Sequence, residues 1–68
     1  MNWNEIEGNW REFKGAVQER WGKLTDSDID RIAGNREKLV GQLQSAYGKS
    51  REDVERELDL FVEGMKRH

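Results

Sequence analysis

A segment of sixteen residues occurs twice in the chain, and this duplication constrains the fold more than any other feature. The first copy is residues 8–23, GNWREFKGAVQERWGK, and the second is residues 34–49, GNREKLVGQLQSAYGK, 26 positions later. Six of the sixteen positions are identical. Large apolar residues recur at matching positions, with Phe13, Val17 and Trp21 in the first copy and Leu39, Leu43 and Tyr47 in the second. Such self-similarity predicts two copies of one supersecondary unit.

Both copies place apolar residues three and four positions apart, which is the period of one helix face. The pattern predicts four helices, near residues 10–21, 26–33, 36–47 and 51–65. We interpret residues 1–7 as an acidic lead-in that forms at most a partial helical turn, capped by Asn4. The absence of Pro agrees with an all-helical chain.

Polar residues and glycines mark the predicted helix ends. The expected N-caps are Asn9, Thr25, Asn35 and Ser50. Acidic residues three positions later predict capping boxes for the pairs Asn9 with Glu12, Thr25 with Asp28, and Ser50 with Asp53. The expected helix stops are Gly22, Gly34 and Gly48.

We therefore expect an all-α single domain, residues 1–68, built as two αα-hairpins packed around a pseudo-two-fold axis. The repeat units are about residues 8–33 and 34–65. The predicted core consists of Trp10, Phe13, Val17, Trp21, Ile29, Ile32, Leu39, Leu43, Tyr47, Val54, Leu58 and Phe61. Gly15 and Gly41 lie on the side of their helices that faces away from this core.

Charge follows the duplication. Residues 8–24 and 34–49 each carry a formal charge of +2, whereas residues 25–33 carry −2 and residues 51–63 carry −4. Each unit thus combines a basic helix with an acidic one. Complementarity between neighbouring helices of the same chain is the interpretation we favour over a surface for a charged partner.

The segments NWREFKG, WGKLTDSD and GNREKLVGQLQSAYG resemble the CsbD-like family of small bacterial stress-response proteins, over residues 9 to about 53. The resemblance implies a small helical cytoplasmic protein that is made under general stress. It supplies no catalytic, cofactor-binding or metal-binding residue, because the molecular activity of the family is not established. It also agrees with a bundle of two roughly orthogonal helical hairpins.

Carboxylates at Asp26, Asp28, Asp30 and Glu37 fall at positions 1, 3, 5 and 12 of a calcium-loop pattern. The loop needs Gly at position 6, where this chain has Arg31. A capped helix explains the segment better, and we predict no metal site and no cofactor.

Nucleic-acid binding is the alternative function. The aromatic rings of Trp10 and Trp21 could stack on bases. The cations available for phosphates are Arg11, Lys14, Arg36 and Lys38. The net charge of −2 and the helical spacing of both Trp residues argue against it, since nucleic-acid-binding domains concentrate a basic excess.

The composition also opposes an enzyme. The chain has no Cys, and its one His is His68, while the carboxylates are spread over solvated helix faces. The N-terminal residues have no basic start or apolar run, so we expect no signal peptide, no membrane segment and a cytoplasmic location. Strong hydrophilicity with seven Gly is typical of hydrophilins, which shield macromolecules during water loss. We expect a monomeric, non-enzymatic protective protein or one that binds an unidentified protein partner.

Overall fold

The computed structural model describes residues 2–66, and all regular secondary structure in that range is helical. Five helices follow one another: α1 (Trp3–Gly8), α2 (Trp10–Arg20), α3 (Asp26–Ile32), α4 (Arg36–Tyr47) and α5 (Arg51–Lys66). Each helix packs against the next one along the chain. The all-α prediction is confirmed, whereas the expected number of four helices is wrong because the N-terminal segment forms a helix of its own.

Helix α1 takes the place of the partial turn that the sequence predicted for residues 1–7. Its N-cap is Asn2 and not Asn4. The Asn2 side chain accepts a hydrogen bond from the backbone N–H of Glu5, with an N···O distance of 3.1 Å. A side-chain cap of this kind satisfies one of the N–H groups that a helix leaves unpaired at its start.

Helix α1 resembles α3 at two positions that the 26-residue shift brings together. Shifted by 26 positions, Trp3 and Ile6 coincide with Ile29 and Ile32 of α3. Ile6 is 0% exposed, so this turn of helix buries its apolar side as α3 does. A short helix with a buried apolar side therefore precedes each of the long helices α2 and α4.

Three of the four predicted N-caps make the expected side-chain hydrogen bond, and the fourth, Asn9, is the N-cap residue of α2 without one. At the start of α3 the capping box is complete, since Thr25 Oγ1 accepts from the Asp28 N–H and Asp28 Oδ2 accepts from the Thr25 N–H, both at 3.1 Å. Asn35 caps α4, since its side-chain oxygen accepts a hydrogen bond from the backbone N–H of Lys38 at 3.1 Å. Ser50 Oγ accepts the Asp53 N–H at 3.2 Å.

Helix α2 begins at Trp10 after its predicted N-cap residue, Asn9, but two other predictions for its ends are wrong. Asn9 precedes α2, but its side chain makes no capping hydrogen bond, so the box expected with Glu12 does not form. The side-chain amide of Asn9 instead donates from Nδ2 to the Glu5 carbonyl oxygen at 3.1 Å, because α1 ends immediately before Asn9. At the other end the C-cap is Trp21, with φ −126°, and Gly22 does not adopt the expected left-handed conformation.

Left-handed backbone occurs at three described residues. Gly48 ends α4 with φ 64°, as predicted. At the end of α3 the chain uses two such residues, Ala33 with φ 49° and Gly34 with φ 83°. Gly34 is the expected stop, but the C-cap itself is Ala33, which adopts this conformation at a steric cost that glycine would avoid.

The core lies between the long helices and contains ten of the twelve predicted residues. The buried set is Ile6, Phe13, Val17, Trp21, Leu24, Ile29, Ile32, Leu39, Val40, Leu43, Val54, Leu58 and Phe61. Two predicted members, Trp10 and Tyr47, are half-buried at its edge. Both rings hydrogen-bond to the backbone at that edge: Trp10 Nε1 donates to the Ile29 carbonyl oxygen, and the Tyr47 hydroxyl accepts from the Lys23 N–H.

Gly15 and Gly41 are exposed within α2 and α4, as predicted from their angular position. A Cβ built at either residue has no atom within 4 Å outside the local helix. We expect the double substitution Gly15→Ala with Gly41→Ala to stabilise the domain by roughly 1–2 kcal/mol, because Ala is the better helix former. Thermal and denaturant unfolding would measure this. A lowered melting temperature would contradict it.

Candidate functional site

Ion pairs between helices are the main feature of the described surface. Helices α2 and α3 are joined by Lys14 with Asp30. Helices α4 and α5 are joined by Arg36 with Asp59, at 3.5 Å between Nη2 and Oδ1. The basic helices thus face acidic ones, as the charge pattern of the sequence predicted. Such exposed pairs contribute little stability one by one, but they neutralise the surface locally.

Glu57 connects three segments of the chain. Its Oε2 lies 2.9 Å from Lys49 Nζ, and its Oε1 lies 3.8 Å from Arg20 Nη2 at the end of α2. The Glu57 side chain is 21% exposed, less than the carboxylates of the other ion pairs. No sequence pattern indicates this arrangement, because only tertiary contact brings residues 20, 49 and 57 together.

The first residue of α5, Arg51, also binds α4. The Arg51 guanidinium donates to both carboxylate oxygens of Glu37, at 2.7 and 2.9 Å. Hydrogen bonding and the charge of Glu37 raise the pKa of Arg51 above its usual value, so this side chain stays cationic.

Two indole rings hold α1 and α2 against α3 and the turn that follows it. Trp3 Nε1 donates to the Gly34 carbonyl oxygen at 2.8 Å, and Trp10 Nε1 donates to the Ile29 carbonyl oxygen at 3.1 Å. The two ring centroids are 6.4 Å apart. Gly34 is buried there, and a Cβ at this residue would lie 3.0 Å from the Cα of Glu7.

Two equivalent lysines of the repeat meet at Tyr47. Lys23 Nζ lies 5.0 Å and Lys49 Nζ 5.7 Å from the centroid of the Tyr47 ring. The Tyr47 hydroxyl accepts a hydrogen bond from the Lys23 backbone N–H at 3.3 Å. These contacts tie the loop after α2 to the end of α4, and they occupy the ring of Tyr47.

Three carboxylates of the calcium pattern have partners within the chain. Asp28 belongs to the capping box, Asp30 pairs with Lys14, and Glu37 binds Arg51. Among residues 2–66, no group of three or more His, Cys, Asp or Glu side chains is arranged to hold a metal ion. His68 and its surroundings lie outside the described residues.

The residues considered for nucleic-acid binding are largely engaged in other contacts. Trp21 is 2% exposed, with its ring centroid 5.2 Å from that of Phe61, so it cannot stack on a base without unfolding. Trp10 is half-buried and hydrogen-bonded. Lys14 and Arg36 are paired with acidic residues of the same chain.

The capping box lowers the pKa of Asp28, and the largest cause is the hydrogen bond that its carboxylate accepts from the Thr25 backbone N–H. A carboxyl group whose pKa falls on folding adds stability above its unfolded pKa. That contribution is lost as the pH falls through the folded value. We therefore expect Asp28→Asn to lower stability near neutral pH and to lose less stability than the parent on acidification, measured by denaturant unfolding from about pH 7 to pH 2. Identical pH profiles would contradict this.

Between residues 2 and 66, no helix is both long enough and apolar enough to span a bilayer.

Comparison with known proteins gives the family. The CsbD-like family matches residues 4–56. The chain is 49% identical to a UPF0337 protein of Nitrosomonas europaea over 91% of its own length, and it spans 66% of that protein. A UPF0337 protein of Protochlamydia amoebophila is 54% identical, with 90% of the chain and 92% of the relative covered.

The UPF0337 protein YjbJ of Escherichia coli O6:H1 is 48% identical to this chain, and the match covers all of this chain and 94% of YjbJ. No solved structure matches the chain. The family match covers most of the chain and extends the resemblance read from the repeated segments in both directions. By these similarities, the chain belongs to the CsbD-like family.

Proposed function

We propose that this chain is a non-enzymatic protein of the bacterial general stress response that shields other macromolecules during water loss, in the manner of hydrophilins. The observation that carries the proposal is the surface, whose opposite charges pair between helices of the same chain. A cytoplasmic location is part of the proposal.

The internal pairing supports a protective role over a dedicated charged interface. Charged residues make up 38% of the chain, yet the net charge is only −2. A mixed, nearly neutral surface is well hydrated and has no large field of one sign to select a charged partner. Such a particle can separate other proteins as water is withdrawn, without binding any of them tightly.

The small exposed apolar area supports the same role. Leu60 is the one large hydrophobic side chain that is exposed among residues 2–66. A contiguous apolar patch would mark a strong protein-binding surface and would favour aggregation on concentration. A scattered residue does neither, so the described surface suits a protein that remains dissolved when crowded.

Drying a labile enzyme with this protein tests the proposal. We expect recovered enzyme activity after rehydration to rise with the molar ratio of the protein, above an equal mass of an unrelated folded protein with fewer charges. Recovery no better than with the control would contradict shielding.

Binding to one specific protein partner is the alternative that most resembles general shielding. Crosslinking in stressed cells, followed by purification, would distinguish the two. Shielding predicts many substoichiometric captures, whereas a dedicated binding role predicts one stoichiometric partner. Recovery of a single such partner would replace the protective role with a binding role.

Nucleic-acid binding is the second candidate, and we expect it to be weak or absent at physiological salt. The net charge of −2 supplies little counterion release, which is the main source of non-specific affinity. Fluorescence anisotropy with a labelled duplex and a labelled single strand would measure it. Submicromolar binding with a steep salt dependence would contradict the expectation.

We further propose that the α2–α3 and α4–α5 pairs are two hairpins of the duplication around a pseudo-two-fold axis. The matched apolar residues of α2 and α4 support this arrangement.

A further inference from the structure

The junction between α1 and α2 lacks the stop signals that separate α3 from α4. After α3 the backbone is left-handed at Ala33 and Gly34, and the Asn35 side chain then caps α4. Between α1 and α2 stands one non-helical residue, Asn9. Its φ of −116° is not left-handed, and its side chain makes no capping hydrogen bond to α2. The junction after α3 thus ends one helix and begins another, whereas the junction at Asn9 bends the chain without either signal.

Helical hydrogen bonding partly continues across Asn9. Its backbone N–H donates to the Glu5 carbonyl oxygen at 3.1 Å, with the spacing of four residues found inside an α-helix. The Glu12 N–H then donates to the Asn9 carbonyl oxygen at 2.9 Å, with the tighter spacing of three. A change in the backbone angles around Asn9 would therefore join α1 and α2 into one helix of residues 3–20, about 27 Å long.

The spacing of the apolar residues in this segment already suits one continuous helix. These residues are Trp3, Ile6, Trp10, Phe13 and Val17, at successive intervals of three, four, three and four. Such intervals place all five side chains on one face of a straight helix. A straight helix would also supply what the Asn9 side chain does not, because carbonyl groups of α1 would accept the first N–H groups of α2.

Burial and a small set of directional contacts hold α1 in its folded-back position. Ile6 is 0% exposed, and Trp3 Nε1 donates to the Gly34 carbonyl oxygen at 2.8 Å. The Arg36 guanidinium lies 5.7 Å from the centroid of the Trp3 ring. Since α1 has six residues, these contacts are few, and they compete with the hydrogen bonds that a straight helix would gain. Such competition between two arrangements is what a conformational switch requires.

We propose that α1 is a hinged segment with two positions. In the closed form it lies against the Gly34 turn, and in the open form it continues α2 as one straight helix. Opening withdraws Trp3 from the Gly34 carbonyl oxygen and exposes Ile6. It leaves the main core in place, because the buried residues of that cluster all lie between residues 17 and 61. This inference does not depend on the protective role proposed above.

Distances between two spin labels test the proposal. The chain has no Cys, so labels can be attached through Glu5→Cys and Lys38→Cys, at two exposed positions. Residue 5 belongs to α1, and residue 38 lies in the first turn of α4, just beyond the Gly34 turn. Opening carries residue 5 away from that turn. We therefore expect a major short distance from the closed form and a minor longer distance from the open form.

Two substitutions should shift the ratio of open to closed molecules by different routes. Asn9→Ala favours a helical hinge, and we expect the ratio to rise about two- to threefold. Trp3→Phe keeps an aromatic ring but removes the N–H that binds the Gly34 carbonyl oxygen, with an expected rise of about two- to tenfold. The two increases should multiply in the double variant, because one change favours the open form and the other weakens the closed form.

Gly15→Ala is the matched control. It raises the helix propensity of α2 at an exposed position away from the hinge, so it should leave the ratio of the two distances unchanged. Every variant must retain cooperative unfolding. Cα chemical shifts then report the form of the hinge, since Asn9 becomes helical when α1 straightens and residues 3–8 lose helical shifts if α1 melts.

Two results would overturn the proposal. One is a single short distance in the parent and in every variant, the double variant included. The other is a longer distance that appears together with the loss of helical shifts in residues 3–8, because α1 would then unfold and not continue α2.

Discussion

Leu39→Ala is expected to lower the free energy of unfolding by roughly 2–5 kcal/mol, which is enough to unfold most of a domain this small at 37 °C. Leu39 is 0% exposed and belongs to the main core cluster, together with residues of α2, α3 and α5. Removing its side chain withdraws apolar contacts from several helices at once and leaves a cavity. Urea unfolding followed by circular dichroism and Trp fluorescence would measure the loss.

Phe13→Ala is the matched change in the first repeat, and we expect a loss in the same range. Phe13 is 8% exposed and lies outside the main cluster, but it is the larger side chain. Leu60→Ala is the control for Leu39→Ala, because it makes the same Leu-to-Ala change at an exposed position. If either core variant unfolded at the parent's urea midpoint, the equivalence of Phe13 and Leu39 as core residues would be wrong.

Gly34→Ala is expected to destabilise the domain by about 2–5 kcal/mol, from two costs that add at one position. The backbone there has φ 83°, a conformation that a residue with a Cβ rarely adopts. The added Cβ would also lie 3.0 Å from the Cα of Glu7, so α1 would have to move away. That movement would break the hydrogen bond from Trp3 Nε1 to the Gly34 carbonyl oxygen.

Gly8→Ala is the control, because Gly8 holds the equivalent position in the first repeat. Its φ is not positive, and a Cβ there meets no atom within 4 Å outside the local helix. We expect its unfolding midpoint to be unchanged or slightly raised. A second readout is the fluorescence of Trp3, which should become more solvent-exposed in Gly34→Ala alone. Equal stability of the two variants would show that α1 does not need the bare backbone of Gly34.

Sequence patterns alone predicted the all-α class, the positions of helices α2 to α5 and most of the core. This was possible because the signals are local. Apolar spacing of three and four selects one face of a helix, and a Thr25 or Ser50 with an acidic residue three positions later marks a helix start. The charge alternation also predicted which helices would pair, since the pairs Lys14–Asp30 and Arg36–Asp59 join basic to acidic helices.

The tertiary structure decided the rest, above all the fate of the N-terminal segment. Residues 3–8 are too few to form a stable helix alone, because helix nucleation is costly and short helices depend on packing. Burial of Ile6 and the hydrogen bond from Trp3 to Gly34 stabilise α1, and that bond joins residues 31 positions apart along the chain. Glu57 also depends on tertiary contact, because it pairs with Arg20 and Lys49 only after α5 has packed on the other helices. A local pattern could not show these contacts, because they exist only between segments that folding brings together.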